Sequence, residues 1–127
     1  MNSKVSVIIP CYNASHWIRD TIDSCLKQSY QSIEIIVVDD GSTDDSLTVI
    51  RSYGDRVKCL AGPNEGGCRA RNLGFQQSEG EYVMFLDADD VIDPAAISLL
   101  VEALGSGQYD IAACDWRYLR ERRNGWL

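Results

Sequence analysis

Short apolar runs alternate along the chain with stretches of helical period. Lys4–Pro10 is β-branched and apolar and stops at a proline, which reads as a first strand. Ile18, Ile22, Cys25 and Leu26 then recur at helical spacing, which predicts a helix capped by Asn13 or Ser15 and running to about Lys27. Ile33–Val38 predicts a second strand, ending in Asp39–Asp40–Gly41. Ser42 or Thr43 is placed to cap a second helix, with Asp44 and Asp45 at its positive end and Gly54 just beyond it. Val57–Leu60 is a short third strand, Gly62–Gly67 a loop, and Cys68–Ser78 a third helix closed by Gly80. Tyr82–Leu86 is the fourth strand; a continuous apolar run predicts that it is buried on both faces. Asp93–Pro94 opens a helix through Leu104, and Tyr109–Cys114 is read as a fifth strand.

This alternation predicts an α/β fold with a mostly parallel sheet and helices on both faces, in a single domain over 1–127. Ligands of such sheets lie beyond the carboxyl ends of the strands. That rule gathers Pro10–Asn13, Asp39–Ser42, the Gly62–Gly67 loop and Asp87–Asp89 on one rim. Along an extended chain Asp87 and Asp89 point to the same side. Two carboxylates so placed call for a cation, and a hard divalent ion, Mg²⁺ or Mn²⁺, suits oxygen ligands shared with a phosphate. The alternative is a strand end with solvated acids leading into a helix cap.

Composition narrows the partners. The net charge of −7 argues against nucleic acid as a partner. Acids gather at 39–45 and 87–93, and arginines near the far end, at Arg117, Arg120, Arg122 and Arg123. No apolar run is long enough to cross a bilayer, and no signal peptide is evident. The five cysteines are an odd number without Cys-x-x-Cys spacing, which reads as buried thiols in a reducing compartment. The expected location is the cytoplasm, or the cytoplasmic face of a membrane. His16 reads as solvent-facing; Tyr30, Tyr53 and Trp116 read as packing.

Two familiar phosphate chemistries do not fit, and a third, the phosphoacceptor receiver, stays a distant alternative. The turn after the first strand, Pro10–Asn13, lacks the glycines of a dinucleotide site. No Gly-x-x-x-x-Gly-Lys occurs. A phosphoacceptor receiver would need its acid pair after the first strand and a lysine after the last. Asp39 is placed to accept hydrogen bonds from a ribose or a base edge.

Val5–Asn13, Glu34–Asp44, Asn64–Gly67 with Ala70–Arg71–Asn72 and Gly74, and Phe85–Asp90 together resemble family 2 glycosyltransferases of the GT-A fold, in that family's order and over about the first hundred residues. The resemblance implies a Rossmann-like nucleotide-binding half. It implies that Pro10, Tyr12 and Asn13 pack on the nucleotide, that Asp39 binds the base, usually uracil, and that Asp40 shapes the neighbouring loop or adds a nucleotide contact. Arg71 would reach the base or diphosphate, Asp87 and Ala88 would face the nucleotide, and Asp89 would hold the metal. The plainer readings stay open: strand ends and caps for Pro10 and Asn13, a turn for Gly66–Gly67, a surface charge for Arg71, and a turn residue for Asp90.

Members of the family continue well beyond this length, and that continuation supplies the acceptor pocket and the carboxylate base. Nothing from Asp110 to Leu127 is assigned that role, Asp115 included. The expectation is therefore the donor-binding part of a longer, inverting enzyme. It would transfer a sugar from a nucleotide-diphosphate donor, UDP-linked by the family's habit, to a hydroxyl of a saccharide or lipid-linked acceptor. The alternative is a nucleotide-binding module without transferase activity of its own.

Overall fold

The computed structural model describes residues 3–105, 107–108 and 110–112, and the backbone of 121–122 and 125–126. The strands are β1 (Val5–Cys11), β2 (Ile33–Asp40), β3 (Lys58–Gly62) and β4 (Tyr82–Phe85), parallel throughout, in the order β3-β2-β1-β4. The helices are α1 (Ile18–Leu26), α2 (Ser46–Arg51), α3 (Gly67–Gln76) and α4 (Ala96–Gly105). Glu121–Arg122 (β5) and Gly125–Trp126 (β6) form an antiparallel pair. The expected fifth strand, Tyr109–Cys114, falls partly outside the described residues, and its described part, 110–112, is not strand.

Alternation along β1 divides the core into two layers. Val5, Val7, Ile9 and Cys11 pack with Ile18, Ile22 and Cys25 of α1, Ile50 of α2 and Ile97 of α4. On the other face Ile36 and Val38 meet Ala70 of α3. A Cβ at Gly74 would lie 2.4 Å from Cγ2 of Ile8, so α3 settles directly on β1 because that residue has no side chain.

The chain steps outward from β1 to β2 to β3 with α1 and α2 on one face, then returns across the other face through α3 to β4. The direction reverses between β1 and β4. Diverging chains leave a crevice at that point, which is where open α/β sheets place their ligands.

Three expectations need correcting. Strand β4 is not buried on both faces: Tyr82, Val83 and Met84 are half-buried and Phe85 is 50% exposed. Among the described strands β4 is an edge, and the apolar run does not tell an edge from a centre. Neither Asn13 nor Ser15 caps α1, which begins at Ile18 after a turn. Neither Ser42 nor Thr43 caps α2, whose first residue is Ser46. In both cases these polar residues bond across to another strand's loop instead, as described next.

Candidate nucleotide-sugar site

Above the carboxyl ends of β1 and β4 lies a cavity of ≈ 540 Å³. Pro10, Tyr12 and Asn13 line it from the end of β1, Asp40 from β2, Arg71 from α3, and Asp87, Ala88 and Asp89 from the tail of β4. Asp39 does not line it. It lies behind the rim, 2% exposed, opposite Cys11 in the β1–β2 register. Sequence reasoning missed Trp17 and Ala14 as lining residues. Trp17 stands one position before the apolar stripe of α1, and its position at the rim end of that helix was the available signal.

The loops after β1 and β2 are stapled together. Asn13 adopts a left-handed φ of 48°, which asparagine tolerates better than most residues. Its N–H donates to Ser42 Oγ at 2.9 Å, and its Oδ1 accepts from the N–H groups of Thr43 (2.8 Å) and Asp44 (3.3 Å). The Ala14 N–H donates to the buried Ser46 Oγ at 2.9 Å. Asp44 closes the staple, accepting from the N–H groups of Ser15 and Ser46. Desolvation that would raise its carboxyl is outweighed by these bonds, which hold it at about 2. A carboxyl lowered on folding stabilises above its ordinary pKa, about 4, and that contribution is lost as pH falls toward 2. Denaturant unfolding of Asp44→Asn should show a shallower loss of stability over that interval than wild type.

The two acids of β2 have different environments. Asp40 accepts from the N–H groups of Glu65 (2.8 Å) and Gly66 (3.0 Å), so it fastens the β3–α3 loop to β2. Gly41 is required beside it: φ is +72° and a Cβ would lie 2.5 Å from the Asn64 backbone nitrogen. Asp39 accepts from the Ser42 N–H through Oδ2 at 3.2 Å, while Oδ1 is buried without a hydrogen-bond partner among the described residues. A buried carboxylate oxygen left bare is costly, and where one persists a ligand donor is a natural explanation.

Asp87, Asp89 and Asp90 follow β4, and each offers an oxygen within 4.8 Å of the others'. All three are exposed. The Asp90 N–H closes a turn onto the Asp87 carbonyl at 3.1 Å, so the turn role holds while its carboxylate joins the group. Burial, then the charges of Asp89 and Asp87, push the Asp90 carboxyl up. Among the described residues Arg71 is the one cation lining the cavity, with Nη2 3.5 Å from Asp87 Oδ1. Gly67 leaves room for it, since a Cβ there would sit 3.2 Å from Nη1. One guanidinium does not neutralise this many carboxylates. An all-oxygen donor set of this kind suits Mg²⁺ or Mn²⁺.

Cys11 and Cys25 are poor nucleophiles. Burial pushes Cys11 to about 11 and Cys25 to about 12. Cys68 is exposed, against the expectation that the thiols are all buried. His16 is exposed and edge-on to Trp17, as expected of a solvent-facing side chain. Tyr53 is packing, as expected; burial, then its bond to Asp23, raise it to about 12. No helix among the described residues is long and apolar enough to cross a membrane.

The parallel α/β sheet, with strand tails that meet in an acid-lined crevice, is similar to that of GT-A glycosyltransferase structures. The pattern of glycosyl transferase family 2 matches residues 6–126, and the chain belongs to that family. It is 38% identical over 133 residues to the uncharacterized glycosyltransferase YibD of Escherichia coli, covering 99% of this chain and 38% of YibD. Among solved structures it is similar to S. aureus TarS 1-349 in complex with UDP-GlcNAc (TM-score 0.72, 34% identity, 82% of this chain and 31% of that one). It is also similar to the mannosyltransferase PcManGT from Pyrobaculum calidifontis in complex with GDP-Man and Mn²⁺ (TM-score 0.66, 28% identity, 78% of this chain and 31% of that one). The chain thus spans well under half the length of these relatives.

Proposed function

We propose that this chain is the donor-binding part of an inverting glycosyltransferase that moves a sugar from a UDP-sugar to a hydroxyl acceptor. The observation that supports it most is the meeting of Tyr12, Arg71 and Asp87–Asp89 on one crevice at the β1/β4 reversal. Asp39 Oδ1, which is covered behind the rim, would take an N–H of the base edge once the loop over it yields. Tyr12 is 52% exposed on the rim and offers an aromatic surface beside the base, with Pro10 and Asn13 flanking it. Arg71 lines the cavity beside Asp87 and would turn to the diphosphate.

Asp89, with Asp87 and Asp90 beside it, would hold Mg²⁺ or Mn²⁺. Such an ion supplies Lewis-acid stabilisation of the diphosphate as the sugar bond breaks. The protein's own contribution is to orient the donor and hold the acids in place before it arrives. The carboxylate base for the acceptor hydroxyl would come from the remainder of a longer protein.

A second reading, a nucleotide-binding module without transfer activity, is favoured by one observation. Of the acids lining the cavity, Asp40 is bonded to loop amides and Asp87 and Asp89 belong to the carboxylate group, which leaves none for the acceptor. Turnover of a panel of UDP-sugars with saccharide and lipid-linked acceptors separates the two. Acceptor-dependent release of UDP supports the transferase; binding without turnover by the longer protein favours the module.

A further inference from the structure

The acids after β4 are exposed and mutually repelling, yet they stand on a segment that is pinned from below. Thr21 of α1, 0% exposed, donates its hydroxyl to the carbonyl of Ala88 at 2.8 Å. Ala88 is the residue between Asp87 and Asp89. One turn further along α1, Ser24 Oγ accepts from the Ile92 N–H at 3.2 Å. One turn beyond that, the buried Gln28 donates to the Asp93 carbonyl at 2.7 Å and accepts from the Ile97 N–H at 3.1 Å. Thr21 and Ser24 lie one turn apart on α1 and Gln28 just past its end, so these polar side chains together hold the chain from 88 to 97.

They have no part in the apolar core that joins α1 to the sheet, which uses Ile18, Ile22 and Cys25. A buried hydroxyl on a carbonyl far away in sequence fixes a backbone position that apolar packing would leave free to slide. Rotation of the peptide at Ala88 would swing the flanking side chains of Asp87 and Asp89 apart.

We infer that Thr21 is the positioning residue of the metal site: by holding the Ala88 carbonyl it sets the spacing of the Asp87 and Asp89 carboxylates before a cation binds. The inference rests on the reading of those acids as a cation site. It touches no reacting atom itself.

The test uses Mn²⁺ alone as the probe, with no nucleotide. Thr21→Val keeps the shape and removes the donor; Thr21→Ser restores a hydroxyl. Calorimetry should give Thr21→Val an Mn²⁺ affinity about 10-fold weaker than wild type, the low end for partners that orient metal ligands, with Thr21→Ser nearer wild type. Hydrogen exchange without metal should show faster exchange over 87–92 in Thr21→Val only. Tyr53→Phe, which loses a hydroxyl bond to Asp23 on another side of α1, should change neither reading.

Should Thr21→Val fail to fold, Thr21→Ala takes its place, with a loss in the same direction. Wild-type affinity and unchanged exchange in whichever of the two folds overturn the inference. Wild type that binds Mn²⁺ but no UDP defeats the donor reading and leaves this one standing. Wild type that binds no Mn²⁺ defeats this inference, while the donor reading is decided by the UDP titration.

Discussion

Asp89→Ala should abolish the metal-dependent part of UDP binding while leaving the fold intact. The Asp89 carboxylate is exposed and crowded by Asp87 and Asp90, so its removal relieves repulsion and uncovers no core. Surface changes of this kind shift stability by less than about 0.5 kcal/mol. The ligand set, however, loses an anionic member, and the two remaining acids hold a hard cation poorly. We expect UDP affinity in Mn²⁺ to fall about 100-fold, or roughly 3 kcal/mol, to the level seen without metal. Calorimetry with and without Mn²⁺, beside a thermal melt, measures both halves. Metal-enhanced binding that survives in the variant would remove Asp89 from the site.

Asp39→Asn should give the opposite dissociation. The substituted side chain can still accept from the Ser42 N–H, but it turns an NH₂ toward the place now held by the bare Oδ1. A donor would then face the donor on a base edge. Hydrogen bonds to a charged partner contribute about 1.5–3 kcal/mol, so UDP should bind about 10- to 100-fold more weakly. Mn²⁺ binding should be unchanged, because Asp39 is not in the carboxylate group. Folding stability should hold or rise, since a buried charged oxygen without a partner opposes folding. A thermal melt and paired titrations of UDP and Mn²⁺ read all three. Loss of stability with retained UDP affinity would make Asp39 a structural acid.

Much of this architecture was legible because strand period and helix period are distinct signals. The runs Val5–Pro10 and Ile33–Val38 were bound to pair in a covered sheet, and the rim followed from their carboxyl ends. Less legible was what each polar residue does there. Asn13, Ser42 and Thr43 have the chemistry of caps, and that chemistry is equally suited to stapling one loop onto another. Local spacing favours the cap, whereas the partners that won lie about thirty positions away. The exposure of Phe85 was invisible for a related reason: hydropathy records what could be buried, and strand order decides what is.

The site shows the same division. Asp87 and Asp89 announced themselves by spacing. That Asp39 stands behind the crevice while Asp40 fastens a loop could not be read from Asp39–Asp40, because alternation puts the two on opposite faces without naming the face that opens on the cavity. Thr21 left a fainter trace, a polar residue wedged between Ile18 and Ile22 on a helix whose buried side is otherwise apolar.

Paramagnetic broadening by Mn²⁺ in the presence of UDP is the most direct measurement of whether these strand tails grip one metal-bound diphosphate. The account predicts that amides of 11–14, 66–71 and 87–90 broaden together, and that UDP without metal shifts the Asp39–Ser42 amides. Broadening confined to 87–90, with UDP perturbing a different surface, would contradict it.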